Sequence, residues 1–115
     1  MRYFVLVIAS FCLFACQKKN APLTAQEQEL VEKRAYIAKQ SLKIIYTLQE
    51  SYQLDNNTYA NDLKTIEFKP NIADSNEYNC TASKDAFLCK ANLNVEGRNI
   101  YITIDQGRQM VDHKE

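Results

Sequence analysis

Cys12, Cys16, Cys80 and Cys89 are the chain's only thiols, and His113 is its only imidazole. A thiol acts as nucleophile, metal ligand or disulfide partner according to its ionisation and its neighbours. Cys80 and Cys89 have eight residues between them, which matches neither the C-x-x-C redox motif nor a paired zinc-ligand spacing. General acid-base chemistry needs a positioned, tuned group, and His113 stands in a polar stretch that reads as an exposed tail. Asp55, Asn57 and Asp62 have the spacing of a calcium loop, but Tyr59 and Ala60 stand where a further ligand and a glycine are required. With two glycines in all, the chain has no phosphate-cradling loop. No catalytic residue, metal site or cofactor is expected.

Composition narrows the partners. Lys and Arg total 14 and so do Asp and Glu, in a chain of 115 residues. Adjacent cations occur only in pairs, Lys18–Lys19 and Lys33–Arg34, and no longer run of one sign stands in the chain. Nucleic-acid binding rests on clustered cations that neutralise phosphates, so nucleic acid is not an expected partner. The length allows one domain of ordinary size.

The amino terminus carries a different kind of information. Arg2 is followed by twelve uncharged residues, Phe4 to Ala15. As a helix this run would be about 18 Å long, against a hydrocarbon core of about 30 Å. It is too short to span a bilayer. An early cation, a short apolar run and a small residue before a cut are the parts of a secretory signal peptide.

"LFAC", Leu13 to Cys16, resembles the lipobox of bacterial lipoproteins, with Leu13 three positions before the cut, Ala15 just before it and Cys16 after it. The resemblance implies a lipoprotein signal peptide over 1–15 and a membrane anchor on Cys16 through its acylated thiol. Residues 16–23 then form the lipidated cysteine and a polar tether, and residues 24–115 the domain. Ordinary signal-peptide cleavage without a lipid is the alternative. Gln17, where inner-membrane lipoproteins tend to have Asp, implies the outer membrane, facing the periplasm of a bacterial cell envelope. Once Cys12 is discarded and Cys16 acylated, Cys80 and Cys89 are the thiols that remain. In an oxidising compartment their expected state is a structural disulfide, with free thiols and a redox or metal role as alternatives.

The domain should open with a helix. "TAQE", Thr24 to Glu27, has the form of a capping box. Val31, Ala35, Ala38, Leu42, Ile45, Gln49 and Tyr52 form one stripe at alternating spacings of four and three, with Leu30, Ile37, Ile44 and Leu48 widening it. Only the second half reads as a core helix; for the polar first half, "TAQEQELVEKR", ordinary packing is the leading reading, with projecting, fraying, or pairing with another copy through helix 24–53 as alternatives. Asp55 to Asn57 should end the helix, because Asp and Asn tolerate turn conformations. A short helical turn over 60–66 would place Leu63, Ile66 and Phe68 against the core. Beyond "NIADSNE" the hydrophobic period becomes two, and "YNCTA", "AFLCKANLNV", "NIYITIDQ" and "RQMVDH" read as strands. A hairpin turn at Lys84 and Asp85 sets Cys80 opposite Cys89. The expected fold class is α+β: a long amphipathic helix packed on a three- to four-stranded antiparallel meander.

"SLKIIYTLQESYQLDNNTYANDLKTIEFKP", Ser41 to Pro70, resembles the segment of type IV pilins and pseudopilins where the main helix ends. Tyr52, Asn57, Tyr59, Ala60, Leu63, Ile66 and Phe68 carry the match, and "TIDQGR" is similar to the family's C-terminal sheet. The resemblance implies a pilin-like globular domain and protein partners in the envelope, in pilus or type II secretion assembly. Pilins keep their apolar stretch as the upper half of the main helix, with a Glu at the fifth mature position. Here the run is short, lacks that Glu and ends at Cys16, which points to a tethered accessory protein; with His113 in a tail and both mature thiols expected in a disulfide, an enzyme is not expected. A second class is an inhibitor or adaptor lipoprotein, since "YNC", Tyr78 to Cys80, resembles a strand of small periplasmic lysozyme inhibitors.

Overall fold

Thr24 starts the helix for a reason confined to four residues. Its hydroxyl accepts the Glu27 amide at 3.1 Å, while its own amide donates to the Glu27 carboxylate at 3.2 Å. Two amide donors that a helix start would leave unpaired are thereby satisfied. Helix α1 then runs over Ala25–Asn56, about 48 Å at 1.5 Å per residue. It ends where Asn57 turns left-handed (φ 58°) and donates its amide to Gln53. The computed structural model describes residues 21–114. The expected signal peptide and the Cys16 anchor lie outside the described residues.

Four strands follow: β1 (Glu77–Ala82), β2 (Phe87–Asn92), β3 (Ile100–Asp105) and β4 (Met110–Lys114). They form one antiparallel sheet in chain order, the expected meander. Ser83 donates its amide to Ala86 across the Lys84–Asp85 turn, and this register sets Cys80 against Cys89. The two are joined by a disulfide. Gly97 closes the β2–β3 loop at φ 73°, a conformation glycine adopts without steric cost.

Helix α1 lies over β2 and β3. Ala38, Leu42 and Ile45 on one side and Cys89, Ala91, Ile102 and Ile104 on the other are buried together. Each buried Leu or Ile contributes about 1.5–3 kcal/mol relative to leaving it in water. The stripe foreseen from spacing is the buried face: Val31, Ala38, Leu42, Ile45 and Gln49 are all on it. Leu30 and Ile44, expected to widen it, remain exposed.

Three expectations change. The second half of α1 is not alone in the core: in the first half Val31 is buried, and Arg34 donates to the Leu93 and Asn94 carbonyls at 2.9 and 2.7 Å. Residues 60–66 form turns with no regular helix. Their closing geometry nevertheless resembles a helix end: Phe68 donates to Leu63 and Glu67 to Lys64, with Glu67 left-handed at φ 57°. That pairing satisfies two carbonyls and brings Phe68 beside Leu63. Ile66 is buried and both neighbours are partly buried against the core, as expected. Lastly, His113 is half-buried on β4, stacked on Tyr101 with ring centroids 4.4 Å apart.

β4 also shows where the core ends. Met110, Asp112 and Lys114 pair with Ile104, Ile102 and Ile100 and so face the helix side. Asp112 meets Lys39 of α1 at 3.5 Å. A charge on the inner face of an edge strand discourages a further strand from adding there.

Candidate functional site

The structure brings together residues that hold segments in place. At the start of α1, the Arg98 side chain is only 5% exposed, and its guanidinium grips Glu27 through two bonds, Nε to Oε2 at 3.1 Å and Nη2 to Oε1 at 3.0 Å. The same group donates to the Ala21 carbonyl and, at 3.1 Å, to the Pro22 carbonyl. Two nitrogens of a planar fork thus clamp a carboxylate while the outer ones hold the backbone carbonyls that precede the helix. Arg98 reaches Glu27 because the β2–β3 loop turns tightly, with its own amide bonded to the Val95 carbonyl at 3.0 Å. The Arg98 hydrogen bonds, followed by that of the Thr24 amide, lower the Glu27 carboxyl to about 2 from an ordinary 4.5.

A second cluster ties the 69–76 loop to the helix. Asp74 accepts from the Ser41 hydroxyl at 2.8 Å, from the Tyr78 hydroxyl, and from the Asn76 amide at 3.0 Å. Burial, followed by the bond to Asp74, pushes the Tyr78 hydroxyl up to about 12. Asn76 reaches back to the Arg34 carbonyl at 3.0 Å, and its own side-chain oxygen is buried without a protein partner. Ser41 therefore spends its proton on a carboxylate that already has two other donors. The cluster fastens a loop and has no base-nucleophile relay through an imidazole, since His113 meets Thr103 and Tyr101 on the opposite face of the sheet.

At the other end of the domain Tyr59 packs edge-on to Phe87 at 4.9 Å, Tyr46 lies 6.1 Å from the same ring, and Arg108 sits over Tyr46. Tyr59 donates to Glu50 at 3.2 Å, and burial, followed by that carboxylate, raises its hydroxyl. Between α1 and β4 runs a slot of about 310 Å³, floored by Val31, Ala35, Ile100 and Ile102 and crossed by the Lys39–Asp112 pair.

Of the residues singled out in the sequence, Cys80 and Cys89 are joined, and Cys16 lies outside the described residues. Asp62, from the rejected calcium pattern, bonds the Thr65 amide and hydroxyl, both at 2.7 Å, within its own turn. Among the described residues no group of three or more His, Cys, Asp or Glu is placed to hold a metal ion, and no helix is long and apolar enough to cross a membrane. Arg98 and Asp74 escaped the sequence reading because each acts on a distant segment, and Gln49 was placed on the stripe without its bonds to Ala60. Glu27 was legible only as a cap. No protein-family model matches the chain, and no curated protein matches it.

Proposed function

We propose that this chain is a lipid-anchored bacterial envelope protein, attached through Cys16 and facing the periplasm from the outer membrane, whose pilin-like domain works by binding protein partners and not by catalysis. The observation that carries the reading is the order of parts. A lipobox-like "LFAC" and a short polar tether lead into a capped 32-residue helix laid across a four-stranded meander. The residues that carry the pilin resemblance are those that turn the chain from helix to sheet. Asn57 caps α1, Ala60 is buried beneath Gln49, and Ile66 and Phe68 pack under the sheet's flank. The clusters described above hold segments together, as suits a rigid binding module.

Pilus or type II secretion components are the partners that fit the resemblance. The inhibitor reading has less support, because Tyr78 turns its hydroxyl inward to Asp74. Two measurements test the proposal. Metabolic labelling with palmitate should mark the parent protein and not Cys16→Ser, which should leave the membrane fraction; an unlabelled parent that stays on membranes would defeat the anchor. Cross-linking in intact envelopes should recover a pilus or secretion component, and consistent recovery of a hydrolase instead would favour the inhibitor class.

A further inference from the structure

We propose that the end of the domain built from the start of α1 and the β2–β3 loop is a membrane-facing surface, set against the lipid headgroups by the Arg98 clamp. This rests on the anchor at Cys16. The guanidinium fixes Ala21 and Pro22 to Glu27, so the chain is fastened to the domain several residues before the helix begins at Ala25. Cys16 to Ala21 is five residue steps, which span at most about 18 Å when fully extended. Without the clamp, the residues between Ala21 and Thr24 would add to that reach.

The opposite end lies beyond such a tether. Tyr46 is 21 residues along α1 from Ala25, about 32 Å on the helix axis, and it packs on Phe87 beside the Lys84–Asp85 turn. A lipid on Cys16 therefore holds the Arg98 end close to the bilayer and leaves the Phe87 end in the aqueous compartment.

Charge decides how deep this contact goes. Lys18 and Lys19 in the tether are drawn to anionic headgroups. Exposed Glu29 and Glu96 flank the clamp and resist entry into hydrocarbon. Glu27 and Arg98 neutralise each other. The surface is thus suited to lie on the headgroup layer and not to insert.

The chain has no tryptophan, so one introduced residue reports a single place. Full-length lipidated Glu96→Trp and Lys84→Trp would each be reconstituted in phosphatidylethanolamine-phosphatidylglycerol vesicles containing headgroup-nitroxide lipid. Emission from position 96 should be quenched at least about threefold more than from position 84. Adding Arg98→Ala, or separately Glu27→Gln to keep the cation, should move that ratio toward one while the protein still floats with vesicles and keeps its circular dichroism. Equal quenching at both positions, or stronger quenching at 84, in protein that floats would overturn the surface alone. An unchanged ratio in both clamp variants would overturn the role of Arg98. Protein that fails to float would overturn the anchor, and this surface with it.

Discussion

Gln49 of α1 and Ala60 of the following loop exchange two hydrogen bonds, Nε2 to the Ala60 carbonyl at 2.7 Å and the Ala60 amide to Oε1 at 2.8 Å, with the glutamine side chain fully buried. The side-chain amide does for this loop what a neighbouring strand would do. A polar residue in the middle of an apolar stripe is therefore the fastener between helix and sheet. Gln49→Leu should keep the volume and leave both Ala60 backbone groups unpaired, each costing about 1–3 kcal/mol. A loss of about 2–4 kcal/mol in urea unfolding is expected; a change under half a kilocalorie would show that water replaces the glutamine.

The Cys80–Cys89 bond closes a loop with a sequence separation of 9. For so short a loop the constraint on the unfolded chain corresponds to about 2–3 kcal/mol. Both residues are buried at the centre of the first hairpin, so the paired substitution Cys80→Ala and Cys89→Ala avoids adding polar groups. Its denaturation midpoint should fall accordingly, and reduction of the parent protein should give a similar shift. If reduction leaves the midpoint where it was, the bond does not contribute as described.

What could be read from sequence was what is local or periodic. The Thr24 box, the Val31 to Gln49 stripe and the Lys84–Asp85 hairpin all depend on residues within a few positions of one another or on a repeating face. Period alone does not say which parity of an edge strand faces inward, so the inner Asp112 and the stacked His113 were not foreseen. Polarity alone made the first half of α1 look unattached. Its attachment comes from Arg98, 71 positions after Glu27, and from carbonyls about sixty positions after Arg34. Folding brings those groups together, and nothing in their spacing announces it.

Glu67 occupies the left-handed position that closes the 63–68 turn. A non-glycine residue costs about 1–2 kcal/mol there, and glycine's extra freedom in the unfolded chain offsets part of the gain from replacing it. Glu67→Gly should therefore stabilise the protein by about 0.5–1 kcal/mol, since the Glu67 side chain is exposed. Thermal unfolding of the two proteins side by side measures this. A lower midpoint for the glycine variant would mean that the glutamate makes a contact that outweighs its backbone strain.

The ion pair at the start of α1 predicts an acid-sensitive contribution of known sign. Hydrogen bonding to Arg98, then to the Thr24 amide, sets the Glu27 carboxyl at about 2 in the folded protein, against 4.5 ordinarily. A carboxyl lowered by folding stabilises fully above its unfolded value and loses that contribution as pH falls through the folded one. Glu27→Gln lacks the charge at every pH. The gap in urea midpoint between parent and variant should be constant from neutral pH down to about 5, then close between about 4.5 and 2. High salt should shrink the gap at neutral pH, because the Glu27 side chain stays 23% open to solvent. A gap as wide at the acid end as at neutral pH would assign the loss to the missing hydrogen-bond geometry and not to the charge on Glu27.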